Sequence, residues 1–472
     1  MTAGSTPSTR RGGLVGLLAA AGISGLGTRM SFLALPWFVL VTTGSPVRTG
    51  LVAAAELTPY VLVQGLGGPL VDRAGAKRAS VWTDAGACVA MAAVPALHQA
   101  GALSLSTLMV AVAVVGALRG AGDSARDVLL PGAGALAATS LERSAGLYDG
   151  VKRSAALVGA PLAGVLIAVT SPLVVLLVDA ATFGISALIV ACVVPSVAEP
   201  VCAERGDAGQ TYLRSLRTGY RFLLRDRLLL GIGLMVLVTN LIDQAGAAVL
   251  TPVWAQEVAG SPIALGVLGG IFGAGAVAGS FLVTWLAPRL PRRRTFGIAF
   301  MLASAPRYLA LALASTISPV LPLYLLGGLG AGGINPLLGA VQYERVPRHL
   351  QARVLGALGA TAWAGIPIGT LGGGVAVAGL GIRGALAAAA VAYFLATLAP
   401  FVFPAWRAMD VSGRGASGAR GTRPRRSPGS GRSARPGPRR GGRPGARRSP
   451  RTSPAGTPRW RAPGPVPAMP PR

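Results

Sequence analysis

Residues 68–78 read Gly68-Pro69-Leu70-Val71-Asp72-Arg73-Ala74-Gly75-Ala76-Lys77-Arg78, a short basic turn between two apolar runs, 50–71 and 79–97. Each flanking run has about the 20 residues that cross a hydrocarbon core as a helix rising 1.5 Å per residue. Outward from this turn the pattern repeats. It predicts twelve helical spans, at 14–41, 50–71, 79–97, 105–126, 151–170, 173–197, 228–250, 263–286, 295–315, 320–343, 354–378 and 384–406. The runs lack the alternation of a membrane β-barrel, so helices must satisfy the backbone in lipid. The first run follows Arg10-Arg11, exceeds a signal-peptide core and has no A-x-A-like site after it, so it reads as a retained span.

Composition excludes most other classes. The 472 residues are 52% hydrophobic and 13% charged, with a mean hydropathy of +0.57, unlike a soluble domain. Cys88, Cys192 and Cys202 form no CxxC pair, and with only His98 and His349 no HExxH motif exists. Lys77 and Lys152 are the sole lysines and neither follows a glycine, which removes a phosphate-binding P-loop. No cofactor and no metal are implied, and an enzyme is not expected.

The net charge of +28 resolves by position. With the N-terminus inside, inner segments before the tail hold 22 basic residues, including Arg126, while outer loops hold only Arg48 and Arg383. That asymmetry places both termini in the cytoplasm. The longest inner loop, 198–227, lies halfway and carries Tyr212, Leu213, Leu216, Tyr220, Leu223 and Leu224 at helical spacing among arginines, which predicts an amphipathic helix along the inner face. The chain therefore divides into a six-span half (1–197), a linker (198–227), a second six-span half (228–406) and a tail (407–472), the two-half plan of many secondary transporters. Pro161-Leu162-Ala163-Gly164 in span 5 echoes Pro367-Ile368-Gly369 with Gly372-Gly373 in span 11. Residues 411–472 hold 16 arginines, 13 prolines and no acidic residue, a composition that cannot form a core. The tail reads as drift in a GC-rich or frame-shifted sequence, as a segment attracted to anionic lipid headgroups, or, with Trp460 alone for stacking, least well as a nucleic-acid binder; no specific nucleic acid is expected.

The 68–78 turn resembles the G-x-x-x-D-R-x-G-R-K signature of the major facilitator superfamily, carried by Gly68, Asp72, Arg73, Gly75, Lys77 and Arg78; Ala76 stands where a basic residue is usual. Leu26-Gly27-Thr28-Arg29-Met30, Ala34 through Leu40, Thr43-Gly44-Ser45-Pro46, Asp179 through Phe183 and Asn240 through Gln244 resemble the enterobactin-exporter-like branch. The resemblance covers about residues 13–406. It implies an all-α membrane protein of twelve transmembrane helices in the bacterial inner membrane, a proton-driven exporter of drugs, macrolides or siderophores. It also implies a cytoplasmic latch in which the 68–78 turn works with an acidic residue of span 4, here Asp123 or Asp127. The plainer alternative is a turn that only sets topology.

Charges inside the bilayer cost roughly 2.5–3.5 kcal/mol each on insertion scales, so each is a functional candidate. Arg29 and Glu56 lie at equal depth on spans 1 and 2 and are expected to pair, either as a static salt bridge or as a proton switch released during transport. Arg119, in Leu118-Arg119-Gly120-Ala121-Gly122, resembles the superfamily's proton-linked arginine; the alternative makes it a structural partner of Asp84. Asp179 enters span 6 from its outer end. Asn240, Asp243 and Gln244 share one face of span 7 at i, i+3 and i+4, a face for a proton, a cationic substrate or a polar seam. Arg307, after Pro306, is expected at the same cavity or packed with a partner, and Asn335-Pro336 marks a helix break at a site or a packing kink. Gly328 and Gly332 lie at GxxxG spacing, which predicts close helix packing. The expected protein is a monomeric proton-coupled exporter of small molecules; a siderophore exporter or other permease is the alternative in the same class, and a membrane sensor or scaffold the alternative outside it.

Overall fold

A computed structural model describes residues 7–66, 71, 74–195, 212–286, 290–347 and 350–411. No strand occurs among them. The helices are α1 (Pro7–Thr43), α2 (Pro46–Leu66), α3 (Ala76–Gln99), α4 (Leu105–Leu136), α5 (Leu141–Val169), α6 (Pro172–Val193), α7 (Tyr212–Arg225), α8 (Arg227–Ala245), α9 (Thr251–Glu257), α10 (Pro262–Leu286), α11 (Arg292–Leu313), α12 (Leu321–Arg345) and α13 (Gln351–Thr397). A π-turn, Gly246–Leu250, joins α8 and α9 into one rod.

Ten helices among the described residues are long and apolar enough to cross a membrane. One of them, Arg353–Val402, counts once but has a break at Gly381, whose φ of 67° is closed to most side chains; it supplies the expected spans 11 and 12. The remaining expected span, α2, has 21 residues and carries Glu56 and Gln64, which lowers its apolar content. Many exposed side chains of the bundle are apolar, among them Val89, Val110, Leu188, Phe281 and Val391, as lipid contact requires.

Local chemistry sets where the helices begin. Ser104, Ser140 and Ser171 each accept a hydrogen bond from the backbone three residues on, capping α4, α5 and α6. Asp226 caps α8 by accepting from the amides of Leu228 and Leu229. The sequence reading ended span 4 at 126 and began span 5 at 151. The helices instead run to Leu136 and from Leu141, so Asp123, Arg126 and Asp127 lie within α4. The amphipathic linker helix is present as α7.

Glycines let the two halves meet. At one contact α2 packs on α13, with Gly50 against the Thr370 carbonyl and Gly374 against Pro46 and Val47. At the other α5 packs on α10, where a Cβ on Gly266 would lie 3.0 Å from the Ala160 carbonyl oxygen and one on Gly164 2.9 Å from Gly266 Cα. The Pro161–Gly164 and Pro367–Gly373 stretches that echo each other thus belong to the two helices that face the opposite half. Gly328 and Gly332 of α12 sit on the Phe272 and Ala276 carbonyls of α10, the close packing their spacing predicts.

Candidate functional site

Gly116 and Gly120 form a smooth face on α4. Side chains there would overlap the carbonyl oxygens of Glu56 and Tyr60, so α4 lies directly on α2. Arg119, between them, reaches Glu56 and makes an ion pair in which both side chains are buried. The guanidinium also sits 4.7 Å from the Phe32 ring centroid and 5.3 Å from that of Tyr60, a geometry that favours the cation. This corrects the expected Arg29–Glu56 pair. Arg29 is exposed, makes no ion pair among the described residues and stands 5.9 Å from the centroid of Phe32. Gly159 packs against its Cβ, which fixes its helix on α5 rather than toward Glu56.

Asp179 is sealed between α6 and α1. Gly27 leaves room for it, Ser31 donates to Oδ2 at 2.6 Å, and the Thr182 hydroxyl lies 3.4 Å from Oδ1. No cationic group forms an ion pair with it among the described residues. Two turns further along α6, Ser186 donates to Asp84 of α3 at 2.6 Å. Asp84 in turn takes both its oxygens to Arg126, at 2.8 and 2.9 Å, and Arg126 also holds Asp123 at 3.0 Å. Tyr60 of α2 donates to Asp123 at 3.2 Å. Asp84 therefore pairs with Arg126, not Arg119, and Arg126 is a buried helix residue rather than one of the inner-loop charges. Truncating one member of such a pair leaves a buried charge, at a cost of about 3–5 kcal/mol.

Of the predicted latch, Gly68, Asp72 and Arg73 lie outside the described residues. Gly75 has φ 80°, a left-handed conformation suited to glycine, and Lys77 and Arg78 open α3. Asp123 is occupied within its own half, and Asp127 lies 3.7 Å from Lys152 of α5.

The second half holds a cavity of about 410 Å³ between α8, α10, α11, α12 and α13. Asn240, Asp243, Ser304, Asn335, Trp363 and Tyr393 line it with aliphatic side chains. Asn240 donates to the Ala362 carbonyl at 2.9 Å, tying α8 to α13. Three donors converge on Oδ1 of Asp243: Ser304 Oγ and Arg307 Nη2 at 2.6 Å and the Tyr308 hydroxyl at 3.1 Å. A carboxylate offers about four acceptor positions, so Oδ2 retains capacity, and the Asp243 side chain is 32% exposed. Arg307 is 14% exposed and ringed by Phe272, Tyr308 and Tyr324 at 4.8–5.8 Å; it backs the cavity wall and lines no part of it. Gln244 lines none either. The Tyr308 ring fits because Gly246, at the π-turn, has no side chain to meet it. The helix does not break at Asn335-Pro336. α12 runs through to Arg345, since one proline removes a single backbone bond and the turns on both sides hold.

Sequence reasoning brought Arg119, Asp179, Asn240, Asp243, Arg307 and Asn335 to attention and left out Tyr60, Ser31, Ser186, Ser304 and Tyr393. The GxxxG spacing of Gly116 and Gly120 is the signal that would have put Arg119 on span 2. Nothing in sequence marks the tyrosines and serines, which look like ordinary span residues.

The sequence matches the Major Facilitator Superfamily over residues 17–262 and 234–454. It is 29% identical over 416 residues to the multidrug efflux pump Tap of Mycobacterium tuberculosis, covering 86% of this chain and 96% of that one. It is 26% identical over 414 residues to the Tap pump of Mycolicibacterium fortuitum, covering 86% and 99%. In fold it resembles a mutant of the nucleoside transporter NupG (TM-score 0.70, 12% identity, 82% of this chain and 98% of that chain). It also resembles a bacterial homologue of the human lysosomal transporter Spinster in an inward-facing form (TM-score 0.65, 13% identity, 87% and 98%).

Proposed function

The chain belongs to the major facilitator superfamily, and from that premise we propose that it exports amphiphilic small molecules, drugs among them, in exchange for protons. Membership makes it a multi-pass membrane transporter rather than an enzyme. The likeness to Tap over nearly the whole of that pump supports the export of drugs. The observation that carries proton coupling is Asp179. It is a sealed carboxylate that takes one short hydrogen bond, from Ser31, and forms no ion pair among the described residues, whereas Glu56 and Asp84 each hold a buried arginine. An anionic carboxylate in such a place is costly, and a proton removes the cost. Arg119, Glu56 and Asp179 form the proton-handling group, and the Asp243 cavity, with Asn240 and Asn335, receives substrate.

In this reading the inner membrane of a bacterium holds the protein with both termini in the cytoplasm. The α2–α13 and α5–α10 contacts then lie toward the outer face, and the cavity lies in the cytoplasmic half of α8, α12 and α13. Contacts at the outer face with a cavity on the inner side suit a state that admits substrate from inside. The 68–78 turn and Asp123 act as the cytoplasmic latch of the opposite state.

Accumulation of dyes and antibiotics in efflux-deficient cells tests the proposal. Expression should lower accumulation, and a protonophore should abolish the difference. Unchanged accumulation across a broad panel refutes drug export; lowered accumulation that survives the protonophore refutes proton coupling.

A further inference from the structure

The linker helix α7 is packed on one side and bare on the other. Gly219 meets the Arg353 carbonyl at the first turn of α13, where a side chain would not fit. Leu223 is buried with Leu229, Val346, Val354 and Leu358. The opposite face carries Arg217, Arg221 and Arg225 at i, i+4 and i+8, all exposed. None of the three makes an ion pair or a side-chain hydrogen bond among the described residues, and the exposed Arg227 and Arg353 make none either. Three other arginines of this half, by contrast, are paired: Arg345 with Asp226 at 2.6 Å, Arg292 with Glu344 at 2.6 Å and Arg293 with Asp410 at 3.7 Å. Beside the bare arginines Leu224 is 64% exposed. An apolar side chain flanking a row of guanidinium groups suits a boundary between acyl chains and headgroups better than open water.

We propose that this face of α7 binds the phosphodiester headgroups of anionic phospholipids, and that the bound lipid steadies the start of α13. Guanidinium forks match phosphate oxygens. Two other candidates for this surface carry the wrong charge. The 411–472 tail has 16 arginines and no acidic residue, and a second copy would present the same arginines. The consequence reaches the cavity through Leu358, which packs in the cluster beneath α7 and also lines the cavity with Leu355 and Gly359.

The full-length protein in mixed micelles of phosphatidylglycerol and phosphatidylcholine, read by native mass spectrometry, tests the binding. The wild type should retain phosphatidylglycerol in preference. Each arginine near an anionic surface contributes about fivefold, so Arg217→Gln/Arg221→Gln/Arg225→Gln together should cut that preference by on the order of 100-fold. The corresponding triple change to Lys should keep most of it, which separates charge from a folding defect. Hydrogen exchange in nanodiscs tests the link: backbone amides of 217–225 and 351–359 should be more protected in phosphatidylglycerol than in phosphatidylcholine, and the Gln variant should lose the difference. Equal retention by the Gln variant, or equal protection in the two lipids, overturns the proposal. Displacement of the lipid by millimolar inorganic phosphate overturns it too, because the site would then belong to a free anion.

Discussion

Replacing Gly120 with Ala tests whether the α2–α4 contact is what assembles the buried charges. A Cβ at 120 would lie 2.6 Å from the Tyr60 carbonyl oxygen, and ordinary contact begins near 3.4 Å, so α4 must retreat by about 0.8 Å. The Tyr60–Asp123 bond is already 3.2 Å long and would not survive that shift. The Arg119–Glu56 contact would lengthen with it. Losing a hydrogen bond to a charged group costs about 1.5–3 kcal/mol, against a gain of about 1 kcal/mol from placing Ala rather than Gly in a helix. Gly86→Ala in α3 is the control, because its Cβ would meet only the Leu118 side chain, at 3.0 Å, whose end can turn aside. That variant should be neutral or gain up to about 1 kcal/mol. The two variants should therefore differ by roughly 1–3 kcal/mol in reversible unfolding in mixed detergent micelles. Gly120→Ala should also export dye poorly while Gly86→Ala exports normally. Identical unfolding curves and identical export would refute the idea that this close approach sets the Arg119–Glu56 pair.

Arg126→Gln should destabilise the protein by about 3–5 kcal/mol, since Asp84 and Asp123 lose their cation; adding Asp84→Asn should recover much of that loss, and purely additive effects in the cycle would deny their coupling. Asp179→Asn keeps an oxygen for Ser31, so it should fold and bind substrate but lose export that depends on the proton gradient; export with the wild-type protonophore response would remove Asp179 from the proton path. Asp243→Asn keeps an acceptor for Ser304 and Tyr308 while removing the cavity's charge, so it should impair export of cationic dyes more than that of neutral ones, and equal losses would assign Asp243 to structure alone. Gly381→Ala meets no atom within 4 Å yet must hold φ 67°, so it should cost about 1–2 kcal/mol, whereas Gly379→Ala, equally open and without positive φ, should not; equal unfolding midpoints would show that the bend tolerates a side chain.

Hydropathy disclosed the membrane and the helical spans because lipid imposes one crude rule along the whole chain. Partners were harder, and Glu56 shows why. Counting residues from a span's end gives depth, which matched Glu56 with Arg29; ending span 4 at 126 left Arg119 too shallow, and only the helix's continuation to Leu136 brings it level with Glu56. Depth gives no azimuth, and azimuth decides which helix a side chain faces. Gly116 and Gly120 supply it, because a face without side chains is the face another helix occupies. Arg126 fails for a second reason. Its charge, following Asp123, lowers local hydropathy and looks like a span's end, although the two acidic residues that cancel the charge lie within reach, one a turn away on α4 and one on α3. Neutralised charges continue a helix into the interior, whereas bare ones stop at water or lipid headgroups. The same distinction separates Arg345, held by Asp226, from Arg217, Arg221 and Arg225, which form no ion pair among the described residues. A lone carboxylate in lipid follows the same logic: a cation, a ring of donors or a proton must meet it, and Asp179, with one short hydrogen bond from Ser31 and no ion pair among the described residues, is for that reason the carboxylate proposed to take the proton.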